Sequence, residues 1–119
     1  MTDGDHLVQA RLNEFFTDIV LNGDEVHFAW AITAIFYAAV HYGRAVAVTE
    51  EVEITSHIGF AEFFARDLGH QDLYRHYRTM KDLSEKARYD CQPFSEDEVR
   101  ELAASHLAPF RDAVLQMLP

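Results

Sequence analysis

One stretch of the chain, FAWAITAIFYAAV at positions 28–40, is apolar on almost every side of a helix. A helix without a polar face usually lies at the centre of a helical domain, where neighbours cover all of its sides. The stretch therefore predicts a central, buried helix over residues 24–49. His41, Gly43 and Arg44 interrupt the apolar positions, and the uninterrupted part is shorter than the ~18 residues that a membrane span requires.

The chain favours helices elsewhere too, because its 119 residues include only 3 prolines and 5 glycines. A first helix is predicted over residues 5–21, where apolar side chains recur every three or four positions. These side chains form one stripe: Leu7, Val8, Leu12, Phe15, Phe16, Ile19 and Val20. Asn22-Gly23 is expected to end this helix, and Asp24 is expected to cap the next one.

The middle of the chain predicts a loop and two helices. The segment TEEVEIT at 49–55 is acidic and β-branched, and we interpret it as a loop, with a short strand as the alternative. A short third helix is predicted to start at Ser56 and to end at Gly69, and an amphipathic fourth helix covers residues 71–89. One arc of the fourth helix contains Leu73, Tyr77, Met80, Leu83, Ser84 and Ala87.

The last predicted helix begins with a capping box from Ser95 to Glu98. It runs to about Leu118, and Pro109 inside it should kink or break it. The whole pattern predicts one all-α domain over residues 1–119. Its expected architecture is an antiparallel four-helix bundle with one short extra helix.

The chain carries a net charge of −10, from 20 acidic and 10 basic side chains. This balance argues against a dedicated duplex DNA binder and against an anionic membrane surface as partner. The single cysteine, Cys91, excludes an internal disulfide and a CxxC zinc site. The acidic N-terminus lacks the cationic region of a signal peptide. We therefore expect a cytoplasmic protein.

Half of the basic side chains fall within fourteen residues of the predicted fourth helix. They are Arg75, Arg78, Lys81, Lys86 and Arg88. Against Asp82 and Glu85 they leave a local charge of +3, and the remainder of the chain carries −13. This patch is a candidate surface for RNA or a nucleotide, with Arg78 and Lys81 as phosphate ligands. The alternative is a solvated helix face with pairs at i,i+4, such as Arg78 with Asp82.

Polar residues also occupy positions where the helical pattern calls for apolar ones. His41 and Arg44 follow one stripe of the central helix, and Ser84 lies within the apolar arc of the fourth. Because buried polar groups must be hydrogen-bonded, we expect them to meet Arg88 and Tyr89 across facing helices. The cluster is either a catalytic or ligand pocket, with Arg44, Ser84 and Tyr89 as ligand contacts, or a satisfied network that fixes the helix register.

Two further patterns are weaker. Asp72 and His76 have the i,i+4 spacing of two metal ligands on one helix face, but no HExxH or comparable cluster exists. We therefore expect neither a metal nor a cofactor. Arg100 and His106 match the Arg-x4–6-His spacing of some ribonucleases, but in one helix they would point about 120° apart.

Several motifs resemble the HEPN-like helical domains of bacteria and archaea, above all a small group with FYAALHY- and SxxARY-like patterns. The matching residues are Trp30, FYAAVHY at 36–42, His57, Tyr77, Met80, Ser84 and ARY at 87–89. The likeness covers roughly residues 10–117. It implies a four- or five-helix bundle, often a homodimer, in proteins associated with RNA cleavage, nucleotide binding, toxin–antitoxin pairs or defence systems.

The resemblance also implies, for catalytic members, an Arg-x4–6-His pair after the third long helix. Arg88 stands at the comparable place, but no histidine follows it within six residues. Our leading hypothesis is therefore a noncatalytic or divergent homodimeric interaction module.

Two alternatives stay open. One is a metal-independent endoribonuclease with a nonstandard site, in which Arg88 holds phosphate and His41 or His57 transfers a proton. The other is an acidic antitoxin or immunity partner, whose surface masks a basic toxin.

Overall fold

The computed structural model describes residues 1–21, 28–90 and 92–119, which are mostly helical and include no strand. The α-helical segments follow in chain order: α1 Asp3–Leu21, α2 Phe28–Thr49, α3 His57–Ala61, α4 Gln71–Tyr89, α5 Glu96–Leu102 and α6 Ala108–Met117. A π-helical turn over Glu62–Asp67 extends α3, and another over Ala103–Leu107 joins α5 to α6. The described residues thus form five continuous helices, which confirms the all-α prediction.

α2 is the central helix, as its apolar sequence predicts. It packs against α1, α4, α5 and α6, and most of its side chains are buried. By length and hydropathy alone it could cross a membrane, but 78% of its most apolar window is buried within the protein. The predicted start of this helix and the turn at Asn22, Gly23 and Asp24 lie outside the described residues.

α1 turns a small and polar side to the protein and its apolar side to solvent. His6, Ala10 and Thr17 are buried. Leu7 of the predicted apolar stripe is partly buried against the core, whereas five other members point outward and are exposed: Val8, Leu12, Phe15, Phe16 and Ile19. His6 contacts His41 of α2, and alanines flank His41 one turn away on either side, at 38 and 45. The small side chains at 38 and 45 leave room for another helix to lie close to α2.

The connection from α2 to α3 is a turn and loop, as predicted, and the alternative strand is absent from residues 49–55. The Ser56 hydroxyl caps α3 by accepting a hydrogen bond from the Gly59 N–H at 3.0 Å. Gly69 follows the π-helical turn with φ of 69°, a left-handed conformation that glycine adopts without strain. α4 then covers the predicted residues, and its buried arc contains Leu73, Tyr77, Met80 and Ser84.

The last helix begins with the predicted capping box. The Ser95 hydroxyl accepts from the Glu98 N–H at 3.2 Å, and the Glu98 carboxylate accepts from the Ser95 N–H at 3.1 Å. Pro109 does not break this helix, which continues to the end of α6. Pro109 lies in the first turn of α6, directly after a π-helical turn in which the Ala108 N–H donates to the Ala103 carbonyl. This local change in hydrogen bonding accommodates the missing N–H of proline.

Phe60 is the point at which α2, α3 and α4 meet. Its ring lies over Gly43 of α2, where a β-carbon would overlap it. It also stacks on Tyr77 of α4, with ring centroids 3.8 Å apart and planes inclined by 7°. Phe60 and Tyr77 line one wall of a cavity between the same helices.

Candidate functional site

A cavity of about 320 Å³ lies between α2, α3 and α4 and brings together four of the predicted site residues. His41 and Arg44 come from α2, His57 from the start of α3, and Arg88 from the last turn of α4. The remaining wall consists of Phe36, Tyr37, Val40, Ile54, Thr55, Ser56, Phe60 and Tyr77. We call this cavity the Arg44–Arg88 pocket. Three members of the expected cluster, His41, Arg44 and Arg88, line it together with His57, whereas Ser84 and Tyr89 do not.

Arg88 is fixed in place by hydrogen bonds to neutral groups. Its Nη2 donates to the Ser84 hydroxyl at 3.1 Å, and its Nε donates to the Ser84 carbonyl at 3.3 Å. Its Nη1 donates to the Tyr37 hydroxyl at 3.1 Å and to the Tyr89 hydroxyl at 3.4 Å. Ser84 is fully buried. It therefore holds Arg88 in position but cannot contact a ligand in the pocket.

Three aromatic rings surround the Arg88 guanidinium. Its central carbon lies 5.7 Å from the ring centre of Phe36, 5.6 Å from that of Tyr37 and 4.9 Å from that of Tyr89. Cation–π contacts at these distances stabilise a guanidinium without neutralising its charge. Tyr89 covers Arg88 from the solvent side, since its own side chain is largely exposed.

Arg44 is less fully hydrogen-bonded than Arg88. Its Nε is buried and has no hydrogen-bond acceptor among the described residues. Within that same part of the chain, no carboxylate lies within 4.0 Å of Arg44 or Arg88. The pocket therefore contains two guanidinium charges, and no described acidic residue lines it.

His41 is a neutral imidazole at pH 7. Burial, together with the nearby His6 and Arg44, lowers the pKa of His41 to about 4. The Nδ1 atoms of His41 and His6 are 2.8 Å apart and share one hydrogen bond. One imidazole must donate and the other accept, so protonating both would remove this bond and place two like charges in contact.

His57 also has a lowered pKa. Partial burial of its ring is the largest cause, and the positive charges of Lys81, Arg88 and Arg44 act in the same direction. Its Nδ1 forms a short hydrogen bond with the Tyr77 hydroxyl. Burial raises the pKa of Tyr77, which keeps the phenol neutral.

The geometry does not pair either histidine with Arg88. Among the described residues, His41 bonds to His6 and His57 bonds to Tyr77, while Arg88 bonds only to Ser84 and tyrosine hydroxyls. The arrangement is thus suited to binding an anion. A proton transfer would require the substrate itself to bridge from the guanidinium to an imidazole.

The other predicted phosphate ligands lie outside the pocket. Arg78 is exposed and lies 3.9 Å from Asp82, the i,i+4 pair that the sequence predicts. Lys81 forms an ion pair with Glu85 at 2.9 Å. Arg78 is therefore on a solvated helix face, whereas Lys81 is a mostly buried, paired side chain whose charge still acts on His57.

The weaker sequence patterns are not brought together. Arg100 pairs with Glu96 at 2.7 Å, whereas the Nδ1 of His106 lies 3.0 Å from the Nδ1 of His76. Asp72 pairs with Arg75. Across the described ranges, with residues 22–27 and 91 set aside, no group of three or more His, Cys, Asp or Glu side chains is placed to hold a metal ion.

His6 and Tyr77 are the pocket's neighbours that sequence reasoning missed. Tyr77 was assigned to the apolar arc of the fourth helix, although a buried tyrosine hydroxyl normally needs a partner, and that requirement was the available signal. His6 lies 35 positions from His41. No local pattern connects the two, so only the packing of α1 on α2 reveals the pair.

Exposed apolar side chains of α1 and α2 make up a second feature. We call it the α1–α2 face, and it consists of Val8, Leu12, Phe15, Phe16, Ile19, Trp30 and Tyr37. Phe15 is 63% exposed and Trp30 is 61% exposed. Tyr37 belongs to both features, because its hydroxyl accepts from Arg88 inside the pocket.

In comparisons with known proteins, no family model, no curated protein and no solved structure matches this chain.

Proposed function

We propose that this chain is a divergent, noncatalytic HEPN-like module that works as a homodimer. In this proposal α1, α2, α4 and the continuous α5–α6 helix form the antiparallel four-helix bundle, and α3 is the short extra helix. The exposed α1–α2 face carries the proposal, and the resemblance noted in the sequence supports it. Its association with RNA or with toxin–antitoxin systems is part of the same proposal.

The composition of α1 favours a partner on its outer side. A surface helix normally buries its apolar stripe and exposes its polar side, whereas α1 buries His6, Ala10 and Thr17 and exposes two phenylalanines. Large contiguous apolar patches are uncommon on monomeric proteins and mark interaction sites. The sequence of α1 is therefore consistent with burial on both sides, one against α2 and one against a partner.

The size of the α1–α2 face suits a second copy. At roughly 100 Å² for each half-exposed side chain, its members would bury about 700 Å² per copy, close to the ~800 Å² per partner of a typical stable interface. α1 has 19 residues and is thus about 28 Å long. One straight apolar stripe of this length can pair with its own copy across a twofold axis.

Sedimentation equilibrium of the full chain across the micromolar range tests the homodimer. We expect a dimer for the wild type and a monomer with unchanged helical content for Leu12→Glu combined with Phe15→Glu. Ile58→Glu is the matched control, because Ile58 is an exposed apolar residue on α3. A wild type that stays monomeric would overturn the proposal. The α1–α2 face would then be a surface for a different protein, such as a toxin partner.

A metal-independent endoribonuclease is the second candidate function. It is favoured by one observation, that His41, His57 and Arg88 line the same pocket. In such an enzyme Arg88 would hold the scissile phosphate. A neutral histidine would accept the proton of the 2′-hydroxyl as its oxygen bonds to phosphorus, and the P–O5′ bond would break with a proton delivered to the leaving 5′-oxygen.

Incubation with a mixed RNA pool in the presence of a metal chelator tests this activity. The enzyme hypothesis predicts cleavage by the wild type that is lost in Arg88→Ala and in His57→Gln. The control is Arg66→Ala, which removes an exposed cation elsewhere. Equal cleavage by all variants would identify a contaminant, and no cleavage by any of them favours the noncatalytic module.

A further inference from the structure

We propose that the Arg44–Arg88 pocket binds the dianionic phosphoryl group of a small phosphomonoester, and that His57 takes up a proton when the anion binds. The ligand class is inferred from the charges and donors of the pocket. The inference does not depend on the homodimer, because every pocket residue comes from one copy of the chain.

Charge matching selects a dianion. Arg44 and Arg88 contribute two permanent positive charges, and none of the described carboxylates lines the pocket. Glu51 and Glu53 line a larger cavity of about 640 Å³ that adjoins this pocket and shares Arg44, Ile54 and Thr55 with it. A phosphomonoester carries close to two negative charges at pH 7, whereas the diester linkages of RNA carry one each, so the monoester is the better match.

The donors of the pocket are arranged for an anion. Guanidinium N–H groups bind phosphate oxygens. Ser84, Tyr37 and Tyr89 accept from four of the five Arg88 N–H groups and hold the side chain in one orientation, so one Nη2 N–H is left to donate to an anion. Arg44 lines the same pocket, and no described carboxylate lies within 4.0 Å of it, so its charge is available to an anion even though its Nε is itself buried. The volume of about 320 Å³ lies at the lower end for ligand pockets, which indicates a small molecule.

His57 is the group that would change its charge. From α4 it faces Lys81, Glu85, Arg88 and the hydroxyl of Tyr77, and from α2 it faces Arg44. Lys81 and Glu85 form an ion pair and act on the pKa of His57 in opposite directions, Lys81 lowering it and Glu85 raising it.

The two arginines are then the uncompensated charges that oppose protonation of His57. A bound dianion makes the electrostatic potential at His57 negative, which favours the protonated imidazolium. His41 is less suited to this role, because it faces His6 as well as Arg44, and both oppose its protonation.

Isothermal titration calorimetry with sulfate separates the two parts of the proposal. Sulfate stays a dianion between pH 8 and pH 6, so any change in its affinity arises from the protein. We expect the affinity of the wild type to rise about tenfold over this interval, with net proton uptake when buffers of different ionisation enthalpy are compared. Arg44→Gln should weaken binding at pH 8 about tenfold.

His57→Gln distinguishes proton uptake from simple binding. The glutamine can still hydrogen-bond Tyr77, so we expect the fold to be kept and the pH dependence to disappear, with sulfate binding at pH 6 no tighter than at pH 8. His70→Gln, an exposed histidine outside the pocket, is the matched control and should behave as wild type. A pH dependence that persists in His57→Gln would overturn the assignment of the proton.

Two further ligands identify the source of the phosphoryl group. Inorganic phosphate and adenosine monophosphate are compared with adenosine at pH 7. Tighter binding of the nucleotide than of phosphate, with no binding of adenosine, supports an esterified ligand, and equal affinities indicate free phosphate. If sulfate, phosphate and the nucleotide all fail to bind, the pocket is not an anion site and the proposal is wrong, whatever the oligomeric state.

Discussion

Ser84 holds Arg88, one turn further along α4, through both its hydroxyl and its backbone carbonyl. The same hydroxyl donates to the Lys81 carbonyl at 3.1 Å. This relationship explains why a serine occupies the apolar arc of α4. The Ser84 hydroxyl bonds to the guanidinium that borders the pocket. Ser84 therefore contributes both to the packing of α4 and to the candidate site.

Ser84→Ala should lower the free energy of unfolding by about 1 kcal/mol, because it removes a buried hydrogen bond to a charged group. The loss should depend on Arg88, so Ser84→Ala and Arg88→Met should couple by about 1 kcal/mol in a double-mutant cycle. Urea unfolding of the four proteins measures this coupling. Ser105→Ala, which removes an exposed hydrogen bond, serves as control, and additive effects at 84 and 88 would contradict the prediction.

Gly43→Ala should destabilise the protein by about 1–3 kcal/mol, because the new methyl group overlaps the ring of Phe60. Gly4→Ala is the control, since a methyl group there meets only ordinary contact with Thr2 and should be neutral or stabilising. Thermal unfolding followed by circular dichroism measures both. A smaller side chain at position 60, as in Phe60→Leu, should relieve part of the loss, and an unchanged loss would show that the overlap is not its cause.

Stability should fall as the pH drops from 6.5 towards 4. The pKa of His41 is about 4 in the folded protein and near 6.5 in the unfolded chain, so in this interval the unfolded state binds the extra proton. The loss for this one group is on the order of 2 kcal/mol. Urea midpoints at pH 7 and pH 5 measure it. His41→Gln should show a smaller decrease than the wild type and than His70→Gln, and an equal decrease in all three would remove His41 as the cause.

Arg111→Met should destabilise the contact between α1 and α6. Arg111 lies 3.5 Å from the carboxylate of Glu14, and both side chains are largely buried. Without its partner Glu14 is a buried charge, which costs about 1–2 kcal/mol at pH 7. Burial raises the pKa of Glu14, so the loss should shrink as acid neutralises the carboxylate. Guanidinium chloride unfolding at pH 7 and pH 5 tests this, with the exposed Arg66→Met as control.

The helices themselves were predictable because their signals are local. Residues 71–89 form α4 as expected, since its apolar arc and the glycine before it lie within a few residues of one another. The capping box from Ser95 to Glu98 was predictable for the same reason. Pro109 was the exception, because a π-helical turn accommodates it and periodicity does not reveal such a turn.

The candidate site was predictable only in part. His41, Arg44, Ser84 and Arg88 stood out because each is polar at a position that the helical pattern places in the core. His57 was identified only through the family resemblance, because the helical pattern does not place it in the core. Arg78 and Lys81 have the same charge as Arg44 but lie outside the pocket, and each pairs with a carboxylate four residues away.

By itself the sequence determined that the chain is helical and that α2 is its centre, because periodicity, caps and an all-round apolar surface act within a single helix. Only the tertiary structure decided which sides of the helices meet. It turned most of the apolar stripe of α1 outward, because the side of α1 that packs on the protein carries His6, Ala10 and Thr17 instead. It also gathered two arginines without carboxylates around one pocket, since the position of a charge relative to another helix depends on packing and not on spacing along the chain.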